Sequence, residues 1–288
     1  MLHYMKRFRV VHQTTYEYSD DVQLDAHTLR LRPREGHDQH LESSTLTISP
    51  NAELKWHRDV ESNSVAIARF SEASHRLHIE SDSIVQKFDV LPQDFLIEDY
   101  AVNYPFCYPS EDAITLAPYL RNNTDEDYIL IKNLLNNAWA TRQPNQTFKL
   151  LLSMNQYIYQ TLQYIKRDEE GVQSSSATLS KNAGSCRDYA NLFIDAARYL
   201  GFAARFVSGY VHTEDEHHLS GTTHAWAEVF IPGAGWKGFD PTHGCLVGAN
   251  HIAVAVSRLP ELVPAVSGAF WGLPGSSLKV DVWVTEIG

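Results

Sequence analysis

From Arg7 to about Leu96 the chain alternates apolar and polar residues at a period of two, in short runs such as Phe8 to Val11, Thr28 to Leu31, Leu46 to Ile48, Val65 to Phe70 and Leu77 to Ile79. A period of two puts successive side chains on opposite faces of a strand. Turn-forming stretches, Ser49-Pro50-Asn51 and Glu61-Ser62-Asn63-Ser64, separate the runs. The pattern predicts an all-β, sandwich-like amino-terminal domain. Beyond Pro105, Pro109 and Pro118 the period lengthens to that of helices. Thr124 is placed to cap a first helix, with Asp125 to Asp127 in its first turn and Ile129, Leu130, Leu134, Leu135 and Ala138 as the buried face. A second helix starts at Gln146 or Thr147, with Leu150, Leu151, Met154, Tyr157, Ile158 and Leu162 at helical spacing. Residues 171–183, rich in serine, read as a loop. A third helix runs from about Ser185 to Leu200, with Ala190, Phe193, Ile194, Ala197 and Leu200 on one face and Gly201 as its stop. Strands follow at Ala204 to Val211, Thr223 to Ile231, Trp236 to Phe239 and Leu278 to Ile287. The second domain is therefore α+β, helices first and antiparallel strands after. The boundary falls within 100–123, giving domains 1–110 and 111–288.

Composition narrows the function classes. The formal charge is -11 over 288 residues, and no basic run exceeds Lys6-Arg7. Such a surface repels phosphate backbones and anionic lipid, so nucleic acid and membrane are not expected partners. The apolar run Ile252 to Val256 is far short of the ~20 residues of a spanning helix, and no apolar leader follows Lys6, Arg7 and Arg9. A soluble, cytoplasmic protein is the expectation. Three cysteines, Cys107, Cys186 and Cys245, form no C-x-x-C pair, which argues for one special thiol rather than a disulfide scaffold. Neither G-x-G-x-x-G after a strand nor a P-loop occurs, so no organic cofactor is expected.

The chemistry concentrates in three short segments. Gly184-Ser185-Cys186 lies where a loop turns into a helix, so the Cys186 sulfur sits at the positive end of the helix dipole, where thiolate is favoured. Thr223-His224-Ala225-Trp226 opens a strand with an imidazole, the base a thiol needs. Gly238-Phe239-Asp240-Pro241-Thr242 brings a carboxylate across the hairpin Pro232-Gly233-Ala234-Gly235, able to orient that imidazole. A buried apolar cysteine, a satisfied strand histidine and an ordinary Asp-Pro turn are the plain readings of each segment alone. Strand geometry supplies a test: Asp240 shares the face of His224, Trp226 and Glu228 only if paired residue numbers sum to an even value, for example Trp226 opposite Asp240. That requires an odd loop such as Pro232 to Ala234, or a bulge at Gly235.

Four blocks in order, Gly184 to Ala190, Ala203 to Tyr210, His224 to Phe230 and Gly235 to Thr242, resemble the bacterial transglutaminase-like superfamily, which includes proteins assigned as cysteine proteases. Ala26 to Arg34 resembles the β-rich domain that often precedes that core. The resemblance implies a papain-like, transglutaminase-like second domain with Cys186, His224 and Asp240 as its triad. It implies a thioester on Cys186, formed from a peptide or carboxamide and released by water or by an amine, with hydrolysis favoured here because water is always available. The Cys186 backbone N–H is the first oxyanion donor, and Tyr164, with Gln163 as the fallback, is the candidate second. Trp226 and Tyr210 are candidates to line the substrate groove or to lie in the core; Trp236 is assigned to the core. The chain departs from the family at Ser257-Arg258-Leu259-Pro260-Glu261, where such proteins often read Gly-Arg-Asp, and this bears on substrate contacts rather than on the triad.

Two readings from other classes stand beside this one. His212, Glu214, Asp215, Glu216, His217 and His218 crowd one loop and could hold a metal, although helical H-E-x-x-H spacing is missing and a solvated acidic loop accounts for the cluster; no metal is assigned. A binding or scaffold protein that keeps the fold without the chemistry is the other, weakened by the presence of all three triad residues. The expected partner is a peptide or protein substrate.

Overall fold

The computed structural model describes residues 5–88, 92–121, 128–139, 145–167, 169–213 and 223–288. Its amino-terminal part is built from β1 (Lys6–Leu24), β2 (His27–Leu29), β3 (Gln39–Ser49), β4 (Ala52–Arg58), β5 (Ser64–Phe70) and β6 (Ser74–Lys87). The connecting and core strands are β7 (Asn103–Tyr104), β8 (Asn145–Gln146), β9 (Gln163–Tyr164), β10 (Ala183–Gly184), β11 (Ala204–Val211), β12 (His224–Ile231), β13 (Gly235–Asp240), β14 (Cys245–Leu246) and β15 (His251–Ser257). Three more close the chain: β16 (Val266–Ser267), β17 (Phe270–Trp271) and β18 (Ser276–Glu286). Helices are α1 (Ser110–Leu120), α2 (Tyr128–Ala138), α3 (Thr147–Thr161), α4 (Ser175–Lys181) and α5 (Cys186–Tyr199).

The amino-terminal part is a sandwich. One sheet has the order β17-β1-β6-β3 with β18 also on β1, and the other has the order β16-β2-β5-β4. In β6 every second residue from Leu77 to Lys87 is buried, the signature of a strand with one face turned inward. Leu29, Ala66, Ala68, Leu77 and Ile79 fill the space between the sheets. The 19-residue β1 serves a second core as well: Phe8 and Val10 near its start pack with Tyr210, Ile252 and Val254 of the α+β part.

The α+β part places α5 against one sheet, of order β14-β13-β12-β11-β15. Its residues from Asp188 to Arg198 are all buried, so α5 is a central helix wrapped by the sheet, α2, α3 and α4 rather than a surface helix with one apolar stripe. Phe193 stacks on Phe239 of β13 at 5.2 Å between ring centroids, which ties the helix to the sheet beneath the site.

The chain departs from its pattern-based expectations in places with identifiable causes. The last strand, β18, pairs with β1 from Phe8 opposite Glu286 to Tyr18 opposite Ser276, and β16 pairs with β2. Residues 266–286 thus complete the amino-terminal sandwich, and a second unit running unbroken over 111–288 is corrected accordingly. Alternation in Val280, Val282 and Val284 announces a strand but not its partner. Segment 171–183 contains α4, started by the Ser174 hydroxyl accepting from the Ala177 N–H at 3.2 Å and ended by Asn182 in the left-handed region. The buried face of α2 is Ile131, Leu134 and Leu135, whereas Ile129 is 70% exposed. The proposed cap at Thr124 lies outside the described residues. Helix α1 and strand β15 lie outside the elements the pattern predicts, because Pro109 and Pro118 mask the first and the apolar run 252–256 carries no alternation; β4 is a further strand.

Strand β15 is the sheet edge nearest the sandwich, and two side-chain amides finish it. Asn63 donates to Val256 O and accepts from Val256 N, both at 2.8 Å. Gln39 does the same for Ala253, at 3.0 Å and 3.1 Å. The two amides act as a surrogate strand, satisfying backbone groups that an open edge would expose.

Candidate active site

Cys186 opens α5, and a compact ion cluster fixes where that opening sits. Ser185 and Asp188 form a reciprocal capping box: the Asp188 carboxylate accepts from the Ser185 N–H and hydroxyl, both at 2.8 Å. It also accepts from the Gln173 N–H at 2.8 Å and pairs with Arg167 at 2.7 Å, which ties the segment before α4 to the helix start. Burial alone raises the Asp188 carboxyl, but these donors overcome it and hold it below the ordinary carboxylate range. Gly184 makes the close turn possible, since a Cβ there would stand 2.9 Å from the Asp188 Cβ. The first turn leaves the Cys186 N–H without an intrahelical acceptor.

Strands β9 and β10 run parallel, with Gln163 opposite Ala183 and Tyr164 opposite Gly184. Tyr164 therefore stands beside the approach to Cys186. Tyr164 is half-exposed, and its hydroxyl is pushed up first by burial and then by the nearby charge of Cys186. Gln163, the alternative donor, is exposed on the alternate position of the same two-residue strand.

His224 and Asp240 come together through the β12–β13 hairpin. Pairs Ala227 with Phe239 and Ile231 with Gly235 share an even sum, and the loop is the three residues Pro232 to Ala234, with Gly233 and Gly235 at positive φ. This is the register that puts Asp240 on the face of His224. The His224 Nε2–H donates to Asp240 Oδ2 at 2.7 Å, and both residues are buried. Burial by itself pushes the His224 imidazole down; the charge and hydrogen bond of Asp240, joined by the Cys186 side chain, push it up to about 10. With Nε2 committed to Asp240, Nδ1 is the nitrogen left for the sulfur.

Two histidines that pattern reasoning did not single out complete the cluster. His243 donates from Nδ1 to the same Oδ2 at 2.7 Å, and His251 donates from Nε2 at 3.1 Å. Oδ1 accepts the backbone N–H groups of Thr242 at 2.9 Å and His243 at 3.2 Å. Burial would raise the Asp240 carboxyl, yet His224 foremost, then His243 and His251, hold it well below the usual range. The i,i+3 spacing of Asp240 and His243 was a visible signal; the approach of His251 depended on how β15 is placed.

The remaining candidates separate. Trp226 is fully buried, its ring 6.2 Å from His224 and 5.4 Å from His251, and it packs with Val207 and Val256. Tyr210 is buried in the core between the two parts, its hydroxyl 2.8 Å from His12 Nδ1. Neither lines a groove, so their assignment as substrate contacts is corrected: both side chains fill interior space. Trp236 is half-buried, under the Arg205 guanidinium at 4.2 Å. Of the histidine-rich loop, His212 docks on the sandwich through Val284 O at 3.0 Å, while Glu214, Asp215, Glu216, His217 and His218 lie outside the described residues. The donor atoms of His224, Asp240 and His243, and those of Asp240, Cys245 and His251, fall within 4.8 Å of one another, a proximity a cation could use. The hydrogen bonds to Asp240 account for the imidazole positions without one.

Comparisons with known proteins agree with this layout. Residues 8–86 match the bacterial transglutaminase-like N-terminal region, and residues 135–241 match the transglutaminase-like superfamily. An uncharacterized protein of Mycobacterium tuberculosis is 28% identical over 295 residues, covering 98% of this chain and 92% of that protein. One of Mycobacterium leprae is 25% identical over 293 residues, covering 98% and 100%. Among solved structures, a proposed cysteine protease from Cytophaga hutchinsonii superimposes with a TM-score of 0.75 at 18% identity, over 99% of this chain and 91% of that one, a likeness of fold. With the amino-terminal region and the core matched in chain order, this chain belongs to the transglutaminase-like superfamily.

Proposed function

We propose that this chain catalyses thiol-dependent acyl transfer on a peptide or carboxamide, with hydrolysis as the net reaction. The observation that carries the reading is the His224–Asp240 pair at 2.7 Å, both groups buried, with the imidazole turned toward a cysteine at a helix start. An imidazole raised to about 10 is an imidazolium at neutral pH, and an imidazolium beside a thiol at a helix N-terminus favours the thiolate. The Cys186 thiolate attacks the carbonyl carbon, and the tetrahedral oxyanion takes the Cys186 N–H and the Tyr164 hydroxyl as donors. His224 then gives its proton to the leaving amine, leaving a thioester. A water molecule, deprotonated by His224, attacks that thioester and frees the acid and the thiol. Asp240 stays ionised throughout and fixes the imidazole tautomer.

The test is the pH dependence of iodoacetamide labelling, read residue by residue by mass spectrometry. Cys186 should label well below the free-thiol value of about 8.5 and lose that advantage in His224→Ala. Cys107, exposed and remote in sequence, is the internal control. Labelling of Cys186 no faster than of Cys107 would leave the scaffold reading in front. Release of product from amide substrates with and without added amine then separates hydrolysis from cross-linking.

A further inference from the structure

We propose that His251 is a positioning residue for this site: its Nε2–H fixes the Asp240 carboxylate, and through it the His224 imidazole. The proposal rests on the acyl-transfer reading above and deepens it. His251 is 5% exposed and opens β15, where its Nε2 reaches Asp240 Oδ2 at 3.1 Å. The Gly248 N–H points at its Nδ1 at 3.4 Å, which makes Nδ1 the acceptor and leaves the ring proton on Nε2. The ring stands edge-on to Trp226, whose other neighbour in the cluster is His224, so one buried indole braces both imidazoles. Groups facing His251 are Asp240 from β13, His224 from β12, His243 from the turn after β13 and Cys245 from β14. Among these only Asp240 offers a full negative charge at neutral pH. Burial first lowers the His251 imidazole, so it serves as a neutral donor rather than a second cation competing with His224.

The amino-terminal sandwich thereby acquires a role in the site. Strand β15 is held from the outside by Gln39 at Ala253 and Asn63 at Val256, two and five residues past His251. Holding that strand in place holds the His251 nitrogen within reach of Asp240. Partners that orient metal-ligating side chains from behind typically change activity about 10- to 100-fold when removed, and the same scale is expected for an imidazole oriented through Asp240.

The experiment compares His251→Gln and His251→Asn in the full chain. The Gln amide reaches the place of Nε2, whereas the shorter Asn amide reaches only that of Nδ1. Asn leaves one buried methylene more of cavity than Gln, a packing difference read separately from the labelling rate as a shift in melting temperature. Expected is Cys186 labelling within about threefold of the parent in His251→Gln, and about 10- to 100-fold slower in His251→Asn with its acid limb moved to higher pH. In an Asp240→Asn background the Gln and Asn variants should no longer differ, since the route runs through Asp240. Equal rates in the two single variants, whether both fast or both slow, would overturn the proposal. An unactivated Cys186 in the parent chain would instead refute the acyl-transfer reading itself.

Discussion

Replacing Asp240 by Asn removes one charge at the centre of the cluster. Oδ2 accepts three imidazole N–H groups and Oδ1 two backbone N–H groups, all donors. An amide offers one oxygen and one NH2, so whichever way it lies, one set of donors meets another donor. The imidazole of His224 then keeps the burial that lowers it and loses the carboxylate that raises it. Its rise from 6.5 to about 10 should vanish. At about 1.4 kcal/mol per pH unit, that removes about 5 kcal/mol of preference for imidazolium. On the proposed acyl-transfer reading, the activation of Cys186 goes with it. In the assay, Cys186 of Asp240→Asn labelled by iodoacetamide at pH 6 should fall to the rate of Cys107, while at pH 10 the two proteins converge. Cys245 is a poor control, because burial and then the Asp240 charge push its thiol up to about 11, and the substitution removes that charge. A Cys186 profile unchanged between pH 5 and 8 would refute the idea that Asp240 sets the charge of His224.

Three further outcomes follow from the same geometry. Asn63→Ala leaves both backbone groups of Val256 buried and unpaired, costing roughly 2–5 kcal/mol in urea denaturation, and a loss below about 0.5 kcal/mol would show the edge finds water instead. Gly209→Ala puts a Cβ 2.3 Å from Ile252 O and 2.6 Å from the Trp226 ring, opposite His224 in the ladder; it should lower the melting temperature, by about 1–3 kcal/mol of overpacking, and slow Cys186 labelling together, and an unperturbed melt would contradict the packing described. Thermal stability should peak near pH 6.5, because two imidazoles shift in opposite senses. His224, raised to about 10, contributes fully below about 6.5 and loses that contribution as pH climbs toward 10. His12, lowered by burial to about 4, favours the fold above about 6.5 and ceases to as pH falls toward 4. A melting temperature flat from pH 4 to 10 would count against both assignments.

The parts legible from sequence were those where period and chemistry act locally. The α5 start followed from a loop meeting an apolar helical stripe, and the capping box at Ser185 and Asp188 sits in that same stretch. The face shared by His224 and Asp240 hung on a parity condition, which the three-residue loop Pro232 to Ala234 meets by pairing Ile231 with Gly235. Placement of β15 and β18 was not legible, since each pairs with a strand far away in the chain: His251 reaches Val211, and Glu286 reaches Phe8. The apolar run 252–256 is buried on both faces, so it lost the alternation that marks a half-buried strand. Trp226 shows the limit of reasoning by face: parity placed it correctly beside His224, but only the cover supplied by Val207, Val256 and the missing side chain at Gly209 decides that it is interior.

The same long-range pairings explain why the two matched regions occur in one chain. The core sheet ends on β15, an edge that would expose a row of backbone groups if nothing covered it. Here the sandwich covers it with Gln39 and Asn63, and the chain then returns through β16 and β18 to complete that sandwich. Each part thus supplies an edge to the other, and neither closes by itself. Separate sandwich and core would each be left with unpaired strands, β1 without β18 on one side and β15 without its amides on the other. The site inherits this dependence, since His251 is the first residue of the strand the sandwich secures and Asp240 is the carboxylate it meets. An arrangement in which the outer β region holds the strand behind Asp240 gives that region a physical reason to be present, independent of any substrate it touches.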